Sequence, residues 1–429
     1  MKEKFKLTAL EKGWILYDVG NSAFILMVST LIPIFFNALA ESAGVHEDLY
    51  LSYWGYAGSI ATILVAIIGP VCGAIADRNN KRLIFLISLL VGVAACALLG
   101  AMSGWIAFLA MFILARVGYS ASIVFYDSML PEITSENRMD SVSSLGYAYG
   151  YIGSVIPFIV CLVLVLMCNS FGLTQSSAMA IAFLLIALWW MGCSVPLLKS
   201  YRQTAFQTPT KQPVRDAFRQ LYSTLKTARQ EKHIFLYLLA FFFFIDGVYT
   251  IIDMATAYGA ALGLDTTGLL LALLWTQVVA FPCAIIFGRL SSKYDTGLLM
   301  KVCILAYTGI TVFGIFLRVQ WQFWVLATLV GMFQGGIQAL SRSYLGKIIP
   351  AERSGEFYGL MDIFGKGASF VGMTMVSLVS QFTAGVTVDI FGITLQNENL
   401  AVGSLIILFI IGYILFCKAD ALNKARTAV

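Results

Sequence analysis

The chain has 429 residues, 59% of them hydrophobic and only 12% charged, with a formal net charge of +5; an ordinary soluble domain carries roughly 25% charged residues. Water is therefore not its solvent, and apolar runs of about 20 residues exclude a transmembrane barrel, whose strands alternate over about ten. The positive surplus does not mark a nucleic-acid binder, because the basic residues sit in short loops between apolar runs.

The N-terminal MKEKFK is basic, but the apolar stretch from Trp14 to about Ala40 is too long for a signal-peptide core and has no small-residue cleavage site. It counts as the first span. Apolar windows predict twelve, near 13–39, 50–76, 82–101, 105–127, 141–167, 176–198, 233–259, 265–288, 296–317, 322–344, 356–382 and 400–417. The expected architecture is all-α, a six-helix half (1–198), a basic linker (199–232) and a second six-helix half (233–429). Of the 28 Lys and Arg residues, 25 fall in alternate loops and tails, with Arg318 on the opposite side and Arg116 and Lys366 inside spans. That bias predicts a multi-pass cell-membrane protein with both termini and the linker in the cytoplasm. Within the linker, Val214, Phe218, Leu221, Tyr222 and Leu225 recur at helical spacing. They read as an amphipathic helix on the inner leaflet or as a plain solvated tether.

The eight cysteines are scattered without a CxxC pair or a Cys/His cluster, so they read as packing residues and no metal or cofactor is expected. A shift of 219 residues lays Pro131 on Pro350, Ser135 on Ser354, Gly146 on Gly365 and Gly153 on Gly372, and a shift of 228 lays Asp18 on Asp246. Two parallel halves with the site between them form a transporter architecture.

The second span ends in Gly73-Ala-Ile-Ala-Asp77-Arg78-Asn-Asn-Lys81-Arg82, which resembles the signature loop of the major facilitator superfamily, with Asn80 where that pattern usually has glycine. The counterpart, Gly288 to Asp295, is degraded, with Ser292 in place of the acid. The resemblance implies a gate at Asp77, Arg78 and Arg82, with Asp127 as partner; Lys81 fits simple topological anchoring equally well. Trp14-Ile-Leu-Tyr17-Asp18-Val-Gly-Asn21-Ser22, Asp246-Gly247-Val-Tyr249-Thr250 and Gln334-Gly-Gly-Ile-Gln338-Ala-Leu-Ser341-Arg342 look like the vacuole-effluxer branch, the autophagy-related amino-acid exporters and their bacterial relatives. That likeness implies export of amino acids.

An ionisable side chain in hydrocarbon costs at least ~2.5–3.5 kcal/mol, so each needs a partner or a watery cavity. The spans hold Asp18, Arg116, Asp246, Asp253, Asp362 and Lys366. At about 1.5 Å per residue, Arg116 and Asp246 fall near mid-membrane, Lys366, Asp18 and Asp362 nearer the inside, and Asp253 in the outer part. Asp246, Tyr249 and Asp253 share a face, as do Asp362 with Lys366 and Gln334 with Gln338. Asp362 and Lys366 either serve the path or neutralise each other; the two amides either line it or cross-link helices. Together with Asn21 these are the candidate substrate or ion residues. The Gly359 to Lys366 stretch superficially matches a phosphate-binding loop, but it has one residue too many, lacks the following Ser or Thr and lies in an apolar helix.

The reading is a secondary transporter, not an enzyme and not driven by ATP, moving a small zwitterionic or carboxylate solute by alternating access with protons as a coupling ion. Its partners are that solute and the lipid bilayer, without nucleic acid, and the chain is expected to be a monomer. A lipid flippase of the same fold is the competing reading.

Overall fold

The computed structural model describes residues 6–46, 50–78, 80–206, 231–383, 387–390 and 393–427. The proposed linker helix, Pro213 to Lys232, lies almost wholly outside the described residues. The helices are α1 (Ala9–Ser29), α2 (Leu31–Ser42), α3 (Tyr50–Arg78), α4 (Lys81–Leu98), α5 (Trp105–Ser128), α6 (Leu130–Ile133), α7 (Glu136–Leu166), α8 (Gln175–Ser200), α9 (Lys232–Ala261), α10 (Thr266–Leu290), α11 (Thr296–Ile315), α12 (Gln320–Ile348), α13 (Ser354–Phe382), α14 (Asn397–Gly403) and α15 (Leu405–Thr427). All twelve expected spans fall on helix. Ten helical stretches among the described residues are long and apolar enough to cross a membrane, and the shorter apolar stretches Tyr56–Val65 and Val371–Phe382 lie within α3 and α13.

The departures have local causes. The first span is two helices, because Pro33 has no N–H to offer the carbonyl four residues back; the chain breaks at Thr30, whose hydroxyl donates to Leu26 O at 2.5 Å. The fifth span starts earlier than its apolar window, at Glu136 after the N-cap Ser135. The last helix runs on to Thr427 through what reads as a charged tail. Strands β1 (Val388–Ile390) and β2 (Ile393–Leu395) pair antiparallel, Val388 opposite Leu395, in the connection before α14.

Helix starts are capped by side chains. Thr8 and Glu11 form a reciprocal capping box on α1, Asp265 accepts from Gly268 N at 2.6 Å, and Asp295 accepts from Leu298 N at 3.3 Å. Large apolar residues such as Ile63, Leu166, Leu188 and Ile407 remain exposed, as lipid-facing side chains must.

The chain divides into two compact units. Unit 1 comprises Met1–Ser135, Tyr149–Leu221 and Pro350–Gly359; unit 2 comprises Glu136–Ala148, Tyr222–Ile349 and Leu360–Val429. In unit 1, α1 packs on α8, α4 on α5 and α8, and α3 on α5; in unit 2, α9 packs on α15, α11 on α12 and α15, and α10 on α12. The second set repeats the first in order. Close approach is made by paired glycines in α4 and α5, since a Cβ on Gly118 would collide with the Gly92 backbone.

Candidate functional site

Unit 1 contains the signature loop, where α3 turns into α4. Asn80 takes φ 64° and ψ 45°, the left-handed conformation that glycine adopts freely and asparagine tolerates best among the rest. The turn delivers Asp77, fully buried, to the first turn of α13, where backbone N–H groups lack helical partners. Its carboxylate accepts from Gly355 N at 2.9 Å and Glu356 N at 3.0 Å, and its charge complements the positive end of the helix dipole. Only glycine allows this contact: a Cβ on Gly73 would strike Gly355 O, and one on Gly355 would lie 2.7 Å from Asp77 Oδ1.

A cation of this cluster is Lys81, four residues after Asp77 and across the turn. Its buried ammonium lies 3.2 Å from Asp77 Oδ1 and 2.8 Å from Glu132 Oε1, and donates to Ser354 Oγ at 2.9 Å. Glu132 also accepts from Tyr201 OH at 3.0 Å, Thr204 N at 2.8 Å and Ala205 N at 3.2 Å. Burial raises the Tyr201 phenol above its ordinary pKa and the adjacent Glu132 adds to the rise, so this hydroxyl keeps its proton and donates. Gln203 accepts from Lys81 N at 2.8 Å and donates to Ala76 O at 3.1 Å, clamping both sides of the turn. The resemblance pointed instead to Arg78, Arg82 and Asp127. Arg82 is exposed and Asp127 half-buried near the end of α5, while the Arg78 side chain lies outside the described residues.

Unit 2 holds the start of α7 with opposite polarity. Arg342 is buried and donates through Nε to Ser143 Oγ and through Nη2 to Ser143 O, both at 2.9 Å, while its guanidinium stands 4.3 Å over the Tyr147 ring. Lys347 Nζ and Thr296 Oγ1 each donate to Asp140 Oδ2 at 2.6 Å. Beside them Lys301 and Lys424 lie 2.6 and 3.1 Å from Asp420. Lys424 also reaches Asp295 at 2.8 Å. Burial alone would raise the Asp295 carboxyl; Lys424 outweighs it and holds the pKa below the usual carboxylate value.

Of the candidate substrate or ion residues, Asp18 is buried on α1 and accepts weakly from Asn21 Nδ2 at 3.4 Å. Aromatic anchors hold α1 there: Trp14 Nε1 donates to Tyr126 O at 2.9 Å and Tyr17 OH lies 2.7 Å from Ser122 Oγ. Arg116, half-buried in unit 1, lies 5.9 Å from the centre of the Tyr119 ring. In unit 2, Asp246 is fully buried. Its Oδ1 accepts from Gly372 N at 2.9 Å and Thr250 Oγ1 at 3.2 Å, and its Oδ2 has no hydrogen-bond partner among the described residues. Tyr249 is half-buried, its ring 3.9 Å from where a Cβ on Gly365 would stand, and Asp253 is exposed. Gln334 is buried with its amide oxygen unpartnered among the described residues, Gln338 is half-buried, and Asp362 is half-buried. The Lys366 side chain lies outside the described residues, and with it the pairing to Asp362.

Among the described residues no three His, Cys, Asp or Glu side chains converge as a metal-ligand set. Lys81, Glu132, Gln203 and Ser354, with Asp140, Ser143, Thr296, Arg342 and Lys347, were not singled out as a site from the sequence. Two signals were available: Lys81 is four residues from Asp77, and the 219-residue shift pairs Ser135 with Ser354, the residues that open α7 and α13.

Twelve long helices among the described residues and their repeated packing give the fold of the major facilitator superfamily. Over 96% of its length the chain superposes on 97% of FucP, a transporter of that superfamily in the outward conformation, with TM-score 0.70 and 13% identity. A bacterial homologue of the iron transporter ferroportin gives TM-score 0.70 and 14% identity, covering 97% and 100% of the two chains. At such identities the likeness shows the fold alone. Residues 49–429 match the family described as vacuole effluxer Atg22 like, and the chain belongs to that family. It is 38% identical over 416 residues, 96% of this chain and 94% of the other, to an uncharacterised MFS-type transporter, YxiO, of Bacillus subtilis strain 168. Autophagy-related protein 22-1 of Neosartorya fischeri is 26% identical over 266 residues, 56% of this chain and 43% of the fungal protein; the match spans less than half of that relative. The chain is thus a multi-pass secondary transporter of a solute.

Proposed function

We propose that the chain carries a small zwitterion of the amino-acid class across the cell membrane by alternating access, with both termini and the linker in the cytoplasm. The observation that supports this best is the pair of latched helix starts. Asp77 grips the first N–H groups of α13 while Lys81 bridges it to Glu132 and Ser354; Arg342 and Lys347 grip α7. Each latch is a small set of charged hydrogen bonds that can break and re-form as a unit.

The cargo's carboxylate would meet Arg116, and its ammonium or a coupling proton would meet Asp246 or Asp18. Asp246 suits a cation because one buried carboxylate oxygen has no hydrogen-bond partner among the described residues, and an oxygen left so gains most from a donor. The family description, an effluxer, favours the outward direction.

The test is counterflow in proteoliposomes with a panel of amino acids and small metabolites, with and without an imposed pH gradient. The expected result is saturable exchange of amino acids that is lost in Arg116→Gln and Asp246→Asn variants of normal thermal stability. Absence of exchange for every amino acid, with movement of fluorescent lipid between leaflets, would replace this reading with a flippase.

A further inference from the structure

Unit 2 contains a cavity of about 430 Å³, built by α9, α11, α12, α13, α14 and α15. Its volume lies in the range of small-molecule sites. Most of its wall is apolar, through Ile251, Met254, Leu326, Val376, Val402 and Leu405. Most of the polar groups are hydroxyls. Thr250, Tyr258, Thr311 and Ser377 all line the space, and each has already donated its hydroxyl proton: to Asp246 Oδ1 at 3.2 Å, Gly314 O at 2.7 Å, Tyr307 O at 2.8 Å and Met373 O at 2.8 Å respectively. The hydroxyls of Thr250, Thr311 and Ser377 keep lone pairs for the cavity, while Tyr258 OH also accepts from Asn399 Nδ2 at 2.8 Å, and Ser380 adds a further hydroxyl. Glu398, half-buried, adds a carboxylate, and Gln381, exposed, adds an amide that can donate or accept. No Lys, Arg or His stands among the described lining residues.

We infer that this cavity is a binding site for a compact apolar amine, its ammonium donating to Glu398 and its body filling the space against Ile251, Leu326 and Val402. The walls decide the class. A carboxylate would face the Glu398 charge, with only the Ser380 hydroxyl and the Gln381 amide among the lining residues to donate to it. A hydrated metal ion would leave the apolar wall wet. A purely apolar body would leave the Glu398 charge facing only the Asn397 amide, whose nitrogen reaches its carboxylate at 2.6 Å, whereas an ammonium forms charge-assisted bonds to it. The site goes beyond the transport reading and is measured without transport.

Gly314 provides a clean way to close the space. A Cβ there would stand 3.7 Å from Val402 Cγ1 and 4.0 Å from Leu326 Cδ1, ordinary contacts with two cavity residues, so Gly314→Leu grows into the cavity without forcing the backbone. It also removes a glycine from the last turn of α11. The experiment is equilibrium binding to the full chain in lipid nanodiscs at neutral pH with three probes of matched size: phenethylamine, phenethyl alcohol and hydrocinnamate. The amine is expected to bind at least about tenfold more tightly than the alcohol, and hydrocinnamate not to saturate. Glu398→Gln should lower amine affinity roughly tenfold, the scale of one charged hydrogen bond, and leave the alcohol unchanged. Gly314→Leu should abolish binding while keeping or raising the melting temperature. Equal binding of all three probes, an amine affinity indifferent to Glu398→Gln, binding that survives Gly314→Leu, or no saturable binding would each overturn the inference.

Discussion

Asp77 joins two helices through a carboxylate whose oxygens are both engaged. Both oxygens accept backbone N–H groups, at 2.9 and 3.0 Å, and Lys81 stands 3.2 Å away. Asp77→Asn keeps one acceptor oxygen and loses the charge, so it should lower stability by about 1–3 kcal/mol, the range for a hydrogen bond to a charged group, and cut transport turnover more than in proportion. Turnover unchanged in a proteoliposome assay would reduce the cluster to an anchor. Asn80 makes a sharper case. The usual pattern has glycine here, and the left-handed backbone of Asn80 shows that asparagine meets the same demand. Asn80→Gly should melt within a degree or two of wild type. Asn80→Val should cost about 1–2 kcal/mol through the Cβ clash of a left-handed residue, read as a lower melting temperature. The sequence motif thus revealed where the turn lies. It did not reveal that Lys81 enters the cluster while Arg82 stays exposed, because basic residues crowd the same turn and only the fold decides where each one points.

Helix by helix, the apolar windows located all twelve spans, since a run long enough to cross lipid leaves little else to form. What they missed are the polar ends. The first turns of α7, Glu136 to Asp140, are charged and looked like loop, but they are helical and Asp140 is buried against Lys347 and Thr296. Hydropathy cannot see a helix turn whose polar groups are paired inside the protein. The β1–β2 hairpin was missed because two three-residue strands are shorter than any window. Asp295, which both caps α11 and pairs with Lys424, separates two roles in one residue. Asp295→Ala should cost about 1 kcal/mol from the lost cap; Asp295→Asn keeps a good cap and should cost only a few tenths from the exposed ion pair. The sign with pH follows from the depressed carboxyl. Its contribution is complete above the unfolded value near ~3.9 and is lost as pH falls through the lower folded value. Wild type and Asp295→Asn should therefore converge in stability under strongly acid conditions and differ at neutral pH.

At the scale of the whole chain, the six-plus-six division read from hydropathy is not quite the division into compact units. Glu136–Ala148 and Pro350–Gly359 each sit in the unit to which the rest of their sequence half does not belong. The 219-residue shift relates these two segments, so the repeat was visible before its consequence was. Of the candidate cargo residues, Asp18, Asn21 and Arg116 belong to unit 1 and Asp246, Tyr249, Gln334 and Asp362 to unit 2. Sequence could flag them by the cost of a charge in lipid but could not say that Asp246 would be pinned by Gly372 N while Asp253 stays exposed. Orientation is open to direct measurement. Cysteines placed in 41–49 or 385–397 should react with an impermeant maleimide on intact cells, and those in 199–232 should not; labelling of the linker from outside would invert the topology. The strap formed by Gln203, Thr204 and Ala205 has a mechanical meaning here. These residues, near the start of the basic linker, leave α8, cross the α3–α4 turn and tie down Glu132. A pull on the chain beyond Phe206 would be passed through the Thr204 and Ala205 N–H groups to Glu132, the carboxylate that holds Lys81.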